Sequence, residues 1–142
     1  MLRHVPLVAL VLFFTLGLSA DQKPDLKTRA DQSSGADQAK YAAEYAEQAT
    51  HEADRAFAEG KDEDASNRLK DVATYGKMAA QTSMQFRKRE KNTEIALRKV
   101  LKQLHDIKNA RPFDQQADVQ KVIDAVQAAH DSLLESMFQK AH

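Results

Sequence analysis

Apolar residues recur with a helical period along three long stretches of this chain. In the first, from about Ala36 to Glu59, steps of 100° per residue place Ala42, Tyr45, Ala46, Ala49, Ala53, Ala56 and Phe57 on one side. Glu44, Glu47, His51 and Asp54 fall opposite, so the helix buries a narrow, mostly alanine face. In the third, from about Gln115 to Ala141, Val119, Val122, Ile123, Val126, Ala129, Leu133, Leu134 and Met137 form the clearest apolar stripe of the chain. Pro112 and a candidate N-cap at Asp114 precede it.

The second stretch runs from about Asp62 to Asn109. Its seam reads Leu69, Val72, Gly76, Ala79, Ser83 and Phe86, then Glu90 and Thr93, then Leu97, Val100, Leu104 and Ile107. Gaps of three and four make this a heptad pattern with a polar interruption at 90–93. No Gly or Pro stands at that interruption, and Arg87 to Lys91 are good helix formers. The expectation is therefore one continuous helix of ~48 residues, about 72 Å long. The fold class expected is all-α, three antiparallel helices with a long central helix. The alternative is a break near 87–92 that folds the chain into a four-helix bundle, because each half of an unbroken central helix would have only a two-helix seam.

Residues 21–35 hold a Pro, a Gly, a Ser pair and almost nothing apolar, and read as a flexible linker ahead of a helical domain over 36–142. Residues 1–20 read as an export signal: Arg3, an apolar run from Val5 to Leu16, then Gly17, Leu18, Ser19 and Ala20. Cleavage after Ser19 or Ala20 is expected, which directs the chain to the periplasm or the cell exterior. An uncleaved segment would be a membrane anchor, and membrane contact is expected only in that case.

Composition narrows the chemistry. The chain has 142 residues, 21 basic against 21 acidic, five His and no Cys or Trp. Disulfide scaffolds, Cys-based zinc sites, iron-sulfur clusters and thiol enzymes are thereby excluded. Leu, Ile, Val and Phe number only 19 among the 122 residues after Ala20, so the seams are thin and self-association to a homo-oligomer is the natural supplement. No Gly-rich phosphate loop, GxSxG or HExxH occurs, and no enzyme activity or cofactor is expected.

Charge is segregated by stretch. From Asp37 to Asp64 there are nine acidic and three basic residues, whereas from Phe86 to Arg111 there are nine basic and three acidic. Arg87, Lys88, Lys91, Arg98, Lys99 and Lys102 occupy one arc of about 120°, with Ile95 and His105 on or beside it. Such an arc suits an anionic protein or envelope component: an acidic protein, a lipid headgroup or an anionic polysaccharide. Nucleic acid is disfavoured, since no aromatic is interleaved to stack on bases.

His130 falls inside the apolar stripe of the third stretch. Antiparallel pairing places it opposite residue ~93, so Glu90, Thr93 and His130 are expected to form a buried polar layer that sets helix register. A sharper version makes it a pH-responsive seam, His130 charging against Glu90. On the first stretch, Glu47, His51 and Asp54, with Glu44 beside them, have a spacing a cation could use, but no metal-site motif accompanies them.

The segment Ala56 to Ala65, AFAEGKDEDA, resembles the intra-repeat turn of tetratricopeptide proteins, where small residues end one helix, Gly turns the chain and Ala opens the next. The resemblance covers that one turn and carries no function with it. The reading favoured is an exported, non-enzymatic helical interaction or scaffold protein with coiled-coil character. Its alternatives are a small-ligand, metal or haem carrier with a pocket around Tyr45, Tyr75 and His130, and a periplasmic holdase-like chaperone using Ala- and Met-lined seams.

Overall fold

A computed structural model describes residues 25–139, so the expected export signal and the first four residues of the expected linker lie outside the described residues. Five helices pack together: α1 (Leu26–Gln32), α2 (Gly35–Ala58), α3 (Asp62–Phe86), α4 (Glu90–Asn109) and α5 (Phe113–Gln139). No strand occurs among the described residues.

The expected continuous helix over 62–109 is corrected by a reversal at 87–89. Arg87 and Arg89 both adopt the left-handed conformation, at φ 54° and 57°. The Arg87 amide caps the Ser83 carbonyl, the Lys88 amide reaches the same oxygen at 3.2 Å, and Arg89 accepts the first α4 bond from the Thr93 amide at 2.8 Å. Local propensity favours continuing the helix here, but tertiary burial outweighs it. Only by folding back can α4 bury Leu97, Val100, Leu101, Leu104 and Ile107 against the rest of the bundle.

Contacts between side chains give the helix directions. Along α2 and α3, Tyr45 meets Asp71, Glu52 meets Arg68 and Gln38 meets Thr82, an antiparallel register. Along α4 and α5, Glu94 meets His130 and Lys108 meets Gln120, again antiparallel. Asp62 with Gln115, and Gly76 with Val126, make α3 and α5 parallel. The four long helices are neighbours in the order α2, α3, α5, α4 and back to α2, so the 87–89 link crosses one end of the bundle diagonally. That end carries the start of α2, the end of α3, the start of α4 and the end of α5.

The core grades from small to large across the bundle. On α2, Ala39, Ala42, Ala46, Ala49 and Ala53 have no exposed surface, and they let α2 and α3 approach closely. Leu97, Val100, Leu104, Val119, Val126 and Leu133 fill the α4–α5 side. Gly76 faces both halves: a Cβ built there would meet Leu97 Cδ2 at 3.5 Å and Val126 Cγ2 at 3.6 Å, ordinary van der Waals contact. The α2–α3 turn closes on Gly60, at φ 72°, where the Lys61 amide bonds the Ala56 carbonyl at 2.8 Å.

Within the stretch 21–35 that reads as a linker, α1 forms and buries a side chain. Asp25 caps this helix by accepting from the Thr28 amide at 2.8 Å, and Ala30 is wholly buried. α1 runs back along α2 and α3: Gln38 Nε2 donates to the Ala30 carbonyl at 3.0 Å, and Tyr75 Oη donates to Asp31 Oδ1 at 2.8 Å. The Arg29 guanidinium stacks over the Tyr41 ring at 5.2 Å. Two apolar anchors, Leu26 and Ala30, suffice because polar side chains of α2 and α3 supply the remaining attachment.

Two outcomes test this packing. Gly76→Ala is expected to raise stability by about 0.5–1 kcal/mol in urea unfolding, while Gly60→Ala lowers it by a similar ~1 kcal/mol because of its positive φ. Tyr75→Phe is expected to strip hydrogen-exchange protection from the Arg29 and Ser33 amides of α1 while leaving α4 protected; unchanged protection would show that the Asp31 bond does not hold α1.

Candidate functional site

The six basic residues Arg87, Lys88, Lys91, Arg98, Lys99 and Lys102 are all exposed. Arg87 and Lys88 sit on the reversal, and the other four lie along the outer edge of α4, whose inner seam is Thr93, Leu97, Val100, Leu104 and Ile107. Among them only Arg98 has an ion-pair partner among the described residues, Glu94 Oε2 at 2.9 Å. His105 is exposed as well, whereas Ile95 is half-buried and so is less available than its place in the arc implied.

Beneath this edge lies a polar layer. Glu90, Thr93 and His130 are all buried, and the Thr93 hydroxyl is 2.7 Å from that of Ser83 across the reversal. His130 Nε2 donates to Glu94 Oε1 at 3.2 Å, so the carboxylate it engages is Glu94, one residue from the position the pairing indicated, and not Glu90. Asp131 Oδ1 stands 3.8 Å from His130 Nδ1. Burial pushes the Glu94 carboxyl up, but hydrogen bonds from Arg98 and His130 outweigh it and hold the group below its ordinary value. Sequence reasoning missed Glu94 and the Ser83 partnership. The signal for Glu94 was its spacing four residues before Arg98, combined with its place one step beyond Thr93.

The residues of the rival pocket do not converge. Tyr45 and Tyr75 pack edge to face with centroids 4.7 Å apart, while His130 is tied to α4. The Tyr45 hydroxyl bonds Asp71 and that of Tyr75 bonds Asp31. Burial, aided by the Asp71 carboxylate, pushes the Tyr45 phenol up to about 12, and burial with Asp31 raises Tyr75 as well. On the first stretch, Gln103 Nε2 donates to His51 Nδ1 at 2.7 Å. No group of three or more His, Asp or Glu side chains suited to a metal ion gathers among the described residues.

Open grooves mark the surface of the described residues. One, of about 740 Å³, continues the α2–α3 furrow beyond the start of α1 and is lined by charged side chains including Arg55, Asp64 and Lys70. Several of its charges face one another: Glu52 with Arg68 at 3.1 Å, Glu59 with Lys61 at 3.1 Å and Asp71 with Lys27 at 3.6 Å. Two smaller grooves of about 430 and 250 Å³ run between α3 and α5, with Met78 and Met84 over Ala125 and Ala128. No helix among the described residues is long and apolar enough to cross a membrane. Family models, curated proteins and solved structures show no match to this chain.

The depressed Glu94 value fixes a sign. The folded state gains from ionised Glu94 above its ordinary value of 4.5, and that gain is lost as pH falls through the lower folded value. In thermal unfolding, the stability gap between wild type and Glu94→Gln is therefore expected to be widest near neutrality and to close in acid. A gap that persists unchanged in acid would remove Glu94 from the polar layer's energetics.

Proposed function

We propose that this chain is an exported, non-enzymatic helical interaction module that binds an anionic partner through the basic edge of α4. The observation that carries the reading is a run of six exposed cations, four along the edge of α4 and Arg87 and Lys88 on the reversal just before it, five of them without an ion-pair partner among the described residues. Unneutralised charge on one side of a small bundle steers an oppositely charged partner and sets its orientation. Asp62, Glu63 and Asp64 in the first turn of α3 lie at the opposite end of the bundle from the reversal, where they complement the α3 dipole.

The interior supports a binding role over a catalytic one. Most of its polar groups engage each other: Ser83 with Thr93, Glu94 with Arg98 and His130, the two tyrosines with Asp71 and Asp31, while His130 Nδ1 is buried without a hydrogen-bond partner among the described residues. A nucleophile or general base would instead need an open side facing a substrate.

Binding to soluble polyglutamate, followed by fluorescence anisotropy at rising salt, tests this. Wild type is expected to bind at low salt and release as ionic strength rises. The Arg98→Glu, Lys99→Glu, Lys102→Glu variant is expected to lose at least ten-fold in affinity. Because Arg98 also pairs with Glu94, the Lys99→Glu, Lys102→Glu double variant serves as the control that keeps that bond. Equal binding by wild type and both variants would defeat the reading.

A further inference from the structure

We propose that the end of the bundle carrying the 87–89 reversal docks on an anionic lipid surface, with the rings of Phe86 and Phe138 entering between the headgroups. The inference rests on the anionic-partner reading and names the partner. α3 ends at Phe86 and α5, parallel to it, ends at Gln139, so both rings belong to the same end of the bundle. Phe86 is 45% exposed and Phe138 67% exposed. Between them in the chain's path come Arg87, Lys88, Arg89 and Lys91, all exposed and none with an ion-pair partner among the described residues. Of the acidic groups in the same region, Glu90 is buried at the start of α4 and Glu94 is engaged by Arg98 and His130, which leaves Asp37 in the first turn of α2 and Glu135 in the last turns of α5 exposed against the four cations.

The backbone supplies a second, independent observation. Left-handed φ is ordinarily given to glycine, and a side chain there is a strained choice. Here both such positions of the reversal, Arg87 and Arg89, hold long, exposed cations. The opposite end serves as the contrast. It too exposes a ring, Phe113 at 90%, but the helix starts around it bring Asp62, Glu63, Asp64 and Asp114. With Glu59 these acidic groups outnumber the cations of that end, Arg55, Lys61, Lys108 and Arg111, so an anionic surface meets net negative charge there.

A lipid surface fits the tip better than a protein does. One end of a small bundle offers little of the ~800 Å² per partner that a stable protein interface buries. A bilayer needs no matching shape, and each Lys or Arg near an anionic surface raises partitioning about five-fold. Aromatic side chains flanked by cations add insertion at the headgroup level.

Sedimentation with vesicles of phosphatidylglycerol or of phosphatidylcholine alone tests this, using the chain from Asp21 onward. That chain contains every described residue and lacks the apolar segment that could partition by itself. Wild type is expected to bind the anionic vesicles and not the neutral ones. Phe86→Ser with Phe138→Ser is expected to weaken vesicle binding on the order of ten-fold and to leave polyglutamate binding unchanged. Vesicle binding indifferent to the two rings would overturn the docking tip. Polyglutamate binding without vesicle binding would overturn it too while sparing the anionic-partner reading, with an acidic protein as the partner. Binding to neither probe would end both.

Discussion

Two helices that face each other mainly through alanine bury too little apolar surface to hold a fold, and the structure depends on how that shortage is met. The reversal at 87–89 meets it by turning α4 back, so that its leucines, Val100 and Ile107 cover α3 and α5 while α2 gains a second long neighbour. Burial of α4's seam is worth more than the backbone strain at Arg87 and Arg89, since each fully buried Leu or Val contributes about 1.5–3 kcal/mol and each left-handed residue costs about 1–2.

The polar groups follow from the same geometry. Crossing one end of the bundle diagonally brings the end of α3 over the start of α4, which places Ser83 against Thr93 in a region that water does not reach. A hydroxyl there is stable because its partner is fixed by the reversal. Glu94, His130 and Arg98 form the adjoining step: the bond between Glu94 and His130 joins α4 to α5, and Arg98, on α4 itself, holds the carboxylate. On the far side, the tyrosine pair does the equivalent work between α1, α2 and α3: each ring fills the gap left by alanines, and each hydroxyl finds a carboxylate on a different helix.

The parts legible in the sequence were those written as periodicity. The buried faces of α2 and α5 and the outward direction of the basic edge follow directly from 100° spacing, because a helix repeats its surroundings every turn. The break at 87–89 was legible only as an alternative, near 87–92, argued from the thinness of a two-helix seam and not from any local signal. Arg87 to Lys91 are ordinary helix formers, and the reason they turn is that distant residues need α4, which no local window contains. α1 was hidden for the opposite reason: Leu26 and Ala30 are too few to make a stripe, and its attachment comes from Gln38 and Tyr75 far along the chain. Antiparallel arithmetic located His130's counterpart within one residue, but only the register of the folded helices distinguishes Glu94 from Thr93. The joining of Phe86 and Phe138 at one end likewise required the helix order.

The reversal is also the single covalent connection between α1–α3 and α4–α5. It is exposed, and its Arg-Lys-Arg triplet is the kind of segment that a protease specific for basic residues cuts. A nick there would relieve the two strained arginines without removing any core side chain. Each fragment would still need the other's apolar face, so the halves of a cut molecule would remain together as a non-covalent heterodimer and part only on denaturation. The same division makes the two pieces natural candidates for reassembly when synthesised as separate chains.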